Sequence, residues 1–254
     1  MIPSIRTAVI LAAGMGTRLG GFTKEQPKGF LEIDGQSLIE RSISNLISHG
    51  ITDIIIGTGY FHEHFDLLRL KFPGIRTCRN EDYAVTGSMY TLYTLRHLVK
   101  DPFLLLESDL LYEPAAIDYL LSDPAENIIL ASGPTFSGDE VFIQFSPQKL
   151  LQNMSKDRSL LSHIDGELVG ISKLSPQALD KMVSFSAGHY NQGRKTMHYE
   201  DAMVGVSGEQ DILIKVIEDL AWCEIDDENH LERALSKVYP RISERIHGKR
   251  KAGS

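Results

Sequence analysis

The residues best suited to chemistry stand near the start of the chain. Leu11-Ala-Ala-Gly-Met-Gly-Thr-Arg-Leu-Gly20, continued to Lys24 and Pro27-Lys28, packs glycines and cations into a short span. Gly14 and Gly16 permit a backbone path that a Cβ would obstruct. Such a loop can aim several N–H groups at one anion. Arg18, Lys24 and Lys28 add fixed positive charge. Residues 1–29 hold four cations against Glu25 alone, a balance of +3 in a chain whose net charge is −8. A polyphosphate site is the natural reading; a tight turn with solvated basic residues is the plain alternative. Two commoner phosphate loops fail on spacing. Leu19 stands where a dinucleotide fingerprint needs its last glycine, and Met15 to Leu19 do not supply the Gly-Lys-Ser/Thr of a Walker loop.

Two acids follow apolar runs in the same manner. Pro102-Phe-Leu-Leu-Leu106 ends in Glu107-Ser-Asp109, and Ala221-Trp-Cys-Glu-Ile225 ends in Asp226-Asp227. A carboxylate at the mouth of a parallel strand is well placed to hold a cation beside a phosphate. Magnesium needs only one or two carboxylates, with phosphates and waters completing its octahedron. Asp109 and Asp226 are therefore candidate metal ligands, while Glu107 reads as a supporting position. The competing role for Asp109, and for the Asp226–Asp227 pair, is helix capping. Gly87-Ser88 opens a further helix, where free N–H groups favour an acceptor-rich ligand or where Ser88 simply caps.

The elements that must position these groups alternate along the chain. Thr7 to Ala12 reads as a buried strand, Phe30 to Ile33 as a short strand and Leu38 to Ile47 as a helix that Gly50 can cap. Asp53 to Gly57 is a strand, Phe61 to Lys71 a helix and Ile75 to Cys78 a strand. Ser88 to Leu98 is a helix and Pro102 to Leu106 a strand. This order implies an α/β fold with a doubly wound, mainly parallel sheet, with ligands gathered outside the C-terminal strand ends. Asn127 to Ser132, Val141 to Phe145 and Gly166 to Ser172 are further strands, the last with the glycines of an antiparallel addition. A helix begins at Ser175-Pro. Ile212 to Ile217 is strand-like, and Asp227 to Tyr239 reads as a helix. Residues 1–245 form a single domain, in which 135–210 is an insertion that binds the second substrate. Residues 246–254 are a basic, uncored tail: a frayed end or a linker toward a following domain.

Composition bounds the function. At 254 residues the chain can bury one sizeable core. Excess acid argues against a nucleic-acid surface, and no apolar run approaches the ~20 residues of a membrane helix. The first residues lack the regions of a secretory leader, so a cytoplasmic location is expected. Cys78 and Cys223 read as buried thiols.

The glycine loop with Lys28, taken with Asp109 and the segment Ile225-Asp-Asp-Glu-Asn-His-Leu-Glu-Arg-Ala234, resembles the nucleotidyltransferases of sugar-nucleotide and small cytidylyl transfer. The resemblance is nearest to the enzymes that activate phosphocholine or 2-aminoethylphosphonate. It implies a Rossmann-like nucleotidyltransferase fold and transfer of CMP from CTP, with Mg²⁺ on Asp109 and Asp226. Arg18 and Lys24 would hold the leaving pyrophosphate, and Lys28 the α-phosphoryl and acceptor oxygens. Thr17 belongs to the nucleotide loop. Leu11, Ala12, Ala13 and Gly14 would read a pyrimidine edge through backbone, with Gly87 leaving room for the ring and Ser88 offering a hydroxyl. A quaternary ammonium prefers an aromatic cage and a primary ammonium prefers carboxylates. Trp222 is expected in the core, and Tyr112, Tyr190 and Tyr199 could furnish only a partial cage. Asp139, Glu200 and Asp201 therefore point to 2-aminoethylphosphonate as acceptor, with phosphocholine the runner-up. A nucleotide-binding sensor without catalysis would not need both Lys28 and the metal acids. A homodimer and a domain after residue 254 are both compatible with the sequence.

Overall fold

The computed structural model describes residues 5–252. Residues 1–4 and 253–254, on which the leader reading and the end of the tail fall, lie outside the described residues. Strand β1, Thr7–Ala12, is buried throughout. Val9 and Leu11 enter one apolar cluster, while Ala8, Ile10 and Ala12 enter the cluster on the opposite face. A run apolar on both faces is what an inner parallel strand requires. After a long loop come a small hairpin, β2 (Glu32–Ile33) and β3 (Gln36–Ser37), and then α1, Leu38–Ser48. The chain proceeds through β4 (Asp53–Thr58), α2 (His62–Lys71), β5 (Ile75–Arg79), α3 (Ser88–Leu95) and β6 (Phe103–Glu107). Next are β7 (Leu110–Tyr112), α4 (Ala115–Leu121), β8 (Ile128–Ser132), β9 (Phe142–Phe145), β10 (Leu151–Ser155) and β11 (Gly166–Leu174). The last elements are α5 (Pro176–Tyr190), α6 (Tyr199–Val206), β12 (Leu213–Ile217), β13 (Trp222–Glu224), α7 (Glu228–Arg233) and α8 (Tyr239–Ala252).

The main sheet runs β10-β9-β11-β6-β1-β4-β5, with β8 pairing β11 and β12 pairing β8. Strands β5, β4, β1 and β6 are mutually parallel, β12 is parallel to β8, and β11 is antiparallel to β6, β8 and β9. The chain winds from β1 outward to β5, then crosses back to β6 on the other side of β1. The carboxyl end of β1 is thus the switch point at which such sheets open a crevice. Helices α3, α5 and α6 bury residues on one face of the sheet, and α1, α2 and α4 on the other. This is the doubly wound, mainly parallel α/β sheet that the sequence implies.

A third core lies beneath the loop after β1. It joins Leu19 and Leu38 to Leu111, Cys223 and Ile225, and to Ala234, Val238 and Ile242 of the C-terminal helices. Here several expectations change. Phe30 lies in a 3-10 turn, Lys28–Phe30, and not in a strand. Asp109 is followed by β7, so it caps no helix. Residues 135–210 do contribute antiparallel strands, yet β11 is an inner strand of the main sheet, so the stretch is integral to the fold. The expected loose tail is α8: Ile246 packs on the third core, and Arg245 pairs with buried Glu113 and with Asp219.

Candidate active site

A cleft of about 640 Å³ opens at the carboxyl ends of β1 and β6, within the range of small-molecule sites. Its floor is the loop after β1. Gly16 has φ +63°, and a Cβ there would stand 2.6 Å from Lys28 Cγ, so this glycine is needed both for its conformation and for the approach of Lys28. Leu19, fully buried in the third core, anchors the turn that carries Arg18. Gly29 lies against the Ser108 carbonyl, which brings Lys28 up to the end of β6.

Lys28 Nζ donates to Asp109 Oδ2 at 3.2 Å and to Asp226 Oδ1. Arg18 reaches Asp226 Oδ2 at 2.8 Å and Asp139 Oδ2 at 2.6 Å, and Lys156 holds the other Asp139 oxygen at 2.7 Å. Burial alone would raise the Asp226 pKa, but Lys28 outweighs it and draws the carboxyl down to about 2. Burial lowers Lys28, yet Asp109 and Asp226 hold it above the usual lysine value. Glu107, Asp109 and Glu224 bring three oxygens within 4.8 Å of one another. Burial, then Glu200 and Asp109, push Glu107 up to about 8. Burial, then Glu107 and Asp109, push Glu224 up to about 11. Tyr199 Oη donates to Glu107 Oε1 at 2.8 Å. Gly170, at φ +80°, bends β11 where a Cβ would strike Glu107 Oε2 and lie 3.0 Å from Glu107 Cδ.

The cleft is therefore rich in acid, not in base. Nine carboxyl side chains line it against Arg18, Lys28, Lys156 and Arg233. The +3 balance of the first 29 residues could not register acids delivered by β6, β11, α6 and β13. All-oxygen donors crowded so closely that two of the carboxyls are pushed toward their protonated forms make a hard set that a divalent cation would satisfy by displacing those protons.

The residues singled out by sequence separate clearly. Leu11, Ala12, Ala13, Gly14, Gly16, Arg18, Lys28, Gly87, Ser88, Asp109, Asp139, Glu200, Asp201 and Asp226 all line the cleft, whereas Thr17 and Lys24 are exposed and do not. Gly87 faces the chain itself. A Cβ there would lie 2.5 Å from the Thr196 carbonyl oxygen, and the Gly87 N–H donates to Lys195 O at 2.9 Å. The side of Gly87 that a Cβ would take is filled by the 195–197 loop. Ser88 does not cap α3, since Gly87 is the N-cap; its hydroxyl accepts the Tyr199 N–H at 3.0 Å and ties α6 to α3. Asp201 accepts the His198 N–H at 2.9 Å in a capping box. Asp139 is spent on Arg18 and Lys156. Glu200 alone of the three acceptor acids has a sealed oxygen, Oε2, with no hydrogen-bond partner among the described residues. Trp222 is half-buried and lines the cleft, contrary to its core reading, because β13 pairs only with the short β7 and leaves that face open.

Glu224 went unrecognised in the sequence, and Tyr199 was singled out only as part of an aromatic cage and not as the donor to Glu107. The signal for Glu224 was its place two residues before Asp226, on the same face of an extended strand. His230 also fell outside the expected set: its Nδ1 accepts the Asp226 N–H at 3.3 Å and its Nε2 donates to Ser137 O at 3.2 Å, which fixes the neutral Nε2–H tautomer.

The profile of the MobA-like NTP transferase domain family matches residues 8–168, the stretch that carries the β1 loop, Lys28 and the β6 acids. The chain is 30% identical over 232 residues to choline-phosphate cytidylyltransferase of Streptococcus pneumoniae, covering 90% of this chain and 97% of that protein. It is 25% identical over 224 residues to 2-aminoethylphosphonate cytidylyltransferase of Lancefieldella rimae, covering 86% and 87%. The solved structure of CTP:phosphocholine cytidylyltransferase from Streptococcus pneumoniae superposes with a TM-score of 0.75 at 26% identity, over 90% of this chain and 97% of that one. With a Rossmann-like sheet whose crevice is built on the β1 loop, the chain belongs to the MobA-like NTP transferase domain family.

Proposed function

We propose that the chain is a CTP-dependent cytidylyltransferase that joins CMP to 2-aminoethylphosphonate and releases pyrophosphate. Cytidylyl transfer as the general activity is supported by the relatives named above, which share nearly the full length of the chain. A phosphonate oxygen, already ionised, attacks the α-phosphorus of CTP, and the bond from that phosphorus to the bridging oxygen of the β-phosphate breaks. No general base is needed, so catalysis rests on positioning and charge. Lys28, held between Asp109 and Asp226, presents its ammonium to the α-phosphoryl oxygens. Arg18 exchanges its carboxylate partners for the departing pyrophosphate. Backbone at Leu11 to Gly14 lines the nucleotide end. Mg²⁺ would be held by Asp109 and Asp226, with Glu107 and Glu224 beside Asp109 in one cluster of oxygens; when bound, the ion would neutralise phosphate charge in this acid-rich cleft.

The single observation behind the acceptor is the unpartnered Glu200 Oε2. A primary ammonium brings three N–H donors to such an oxygen, whereas a quaternary ammonium brings none. Trp222 on the cleft wall favours a second reading, phosphocholine, since an aromatic face suits a quaternary ammonium. Competition between the two acceptors at equal concentration, with CTP and Mg²⁺ and with products resolved by mass, separates them. Preference for 2-aminoethylphosphonate that Glu200→Gln abolishes supports the reading. Preference for phosphocholine overturns it.

A further inference from the structure

Behind the cleft lies a second pocket of about 290 Å³. Strands β8 and β12 are parallel neighbours, and both end at its rim, β8 through Ser132 and Gly133 and β12 through Glu218 just beyond Ile217. The carboxyl ends of parallel strands are where open α/β sheets gather ligands. This pair repeats at small scale the geometry that opens the main cleft at β1 and β6. No residue of the expected site belongs to it.

Its roof is the C-terminal helical run. Arg233, Lys237 and Arg241 all line the pocket, against Glu218 as the one carboxylate among the described residues. In a helix of 3.6 residues per turn, positions four apart drift by roughly 40° and positions eight apart by roughly 80°. Here a π-helical turn, Ala234–Val238, widens the spiral between Arg233 and Lys237 and takes back part of that drift. The three cations consequently share one face. Arg241 is paired to Asp219. Arg233 and Lys237 form no ion pair and no hydrogen bond among the described residues, although Arg233 is half-buried. The attraction of Arg233 to Glu167 acts across space without a direct contact, so the half-buried guanidinium keeps its fork of N–H donors for an anion. Arg233, Thr135 and Trp222 also line the main cleft, so the two pockets share a wall.

We propose that this pocket binds a compact oxyanion of the phosphate class, held by Arg233 and Lys237 with Arg241 behind them. Two sources share that chemistry: free phosphate, and the diphosphate that nucleotidyl transfer releases. The shared wall makes occupancy visible to the main cleft through Arg233 and Trp222.

Calorimetric titration of the full chain with inorganic phosphate, and separately with inorganic diphosphate, tests the site without any turnover. Lys28→Ala serves as the background because it weakens anion binding in the main cleft. In that background at least one of the two anions should bind saturably, and Lys237→Glu should raise its Kd by about tenfold or more, the effect of losing one charge-assisted contact. Added KCl should weaken the binding. Lys237 is exposed, so its variant keeps the fold, which circular dichroism verifies. Tighter diphosphate binding identifies the reaction product as the occupant, and tighter phosphate binding the free ion. Absence of saturable binding of both anions in the Lys28→Ala protein, or affinities that Lys237→Glu leaves unchanged, overturns the proposal. The readout is binding alone, so failure here is distinct from failure of the cytidylyl-transfer reading.

Discussion

Gly170→Ala is the sharpest perturbation of the carboxylate cluster, although residue 170 bears no side chain. At φ +80° an L-residue costs roughly 1–2 kcal/mol. The new Cβ would also stand 3.0 Å from Glu107 Cδ. Restoring a carbon–carbon separation of about 3.5–4.0 Å moves that carboxyl by roughly 0.5–1 Å. Glu107 cannot swing freely, since Tyr199 holds its Oε1 at 2.8 Å. Misplacement on this scale typically costs about 10²-fold in rate. For a domain of this size, 1–2 kcal/mol corresponds to a fall in Tm of about 2–8 °C. Pyrophosphate release under Mg²⁺, CTP and acceptor gives the rate, and thermal melting gives the stability. A double-mutant cycle with Glu107→Ala isolates the route. If the alanine acts by pushing Glu107, adding it to Glu107→Ala costs little further activity. Wild-type turnover in Gly170→Ala, or strictly additive losses in the cycle, would refute the reasoning.

Lys28→Ala and Asp109→Asn should each lower kcat by about 10²–10³ while circular dichroism stays native, the usual effect of removing one preorganised charge; near-normal turnover in either variant would contradict the assignment. Glu107, raised to about 8, binds its proton more tightly in the folded chain than in the unfolded one. Its contribution to stability is complete below the ordinary glutamate pKa and is lost as pH rises through about 8. The metal-free protein should therefore melt at lower temperature at pH 8.5 than at pH 6, and Glu107→Gln should flatten that slope. Asp226 has the opposite sign: depressed to about 2, its contribution holds above the ordinary aspartate pKa and disappears as pH falls through about 2. Ser88→Ala leaves the Tyr199 N–H without its 3.0 Å acceptor and should lower Tm by about 2–4 °C, corresponding to about 1 kcal/mol.

The parallel half of the sheet was legible because its strands are short apolar runs buried on both faces and its helices keep a 3.6-residue stripe. The first loop was legible because Gly14, Gly16, Arg18 and Lys28 are close in sequence. What escaped depends on contacts between distant segments. The charge of the cleft is one case, since its acids arrive from four different elements. Ser88 is another: a serine at a helix start looks the same whether it caps its own helix or, as here, accepts from Tyr199. Trp222 looked like core because an apolar strand does not announce that its partner, β7, is only three residues long. Glu107 has its room in the cluster at the bend of Gly170, and no local pattern marks a strand that yields to a neighbour's carboxylate.

The third core has a consequence in time. Lys28 and Asp226 are separated by 198 residues, and the segment bearing Asp226 is fixed by packing among Cys223, Ile225, Ala234, Val238 and Ile242. A chain leaving the ribosome exposes the glycine loop first and supplies the apolar residues under its late acid only near the end of synthesis. Until Ile242 has emerged, the carboxylate already fixed beside Lys28 is that of Asp109, at 3.2 Å. The unfinished chain thus has the glycine loop but not the completed cleft, which closes over its late acid only after the C-terminal helix has docked.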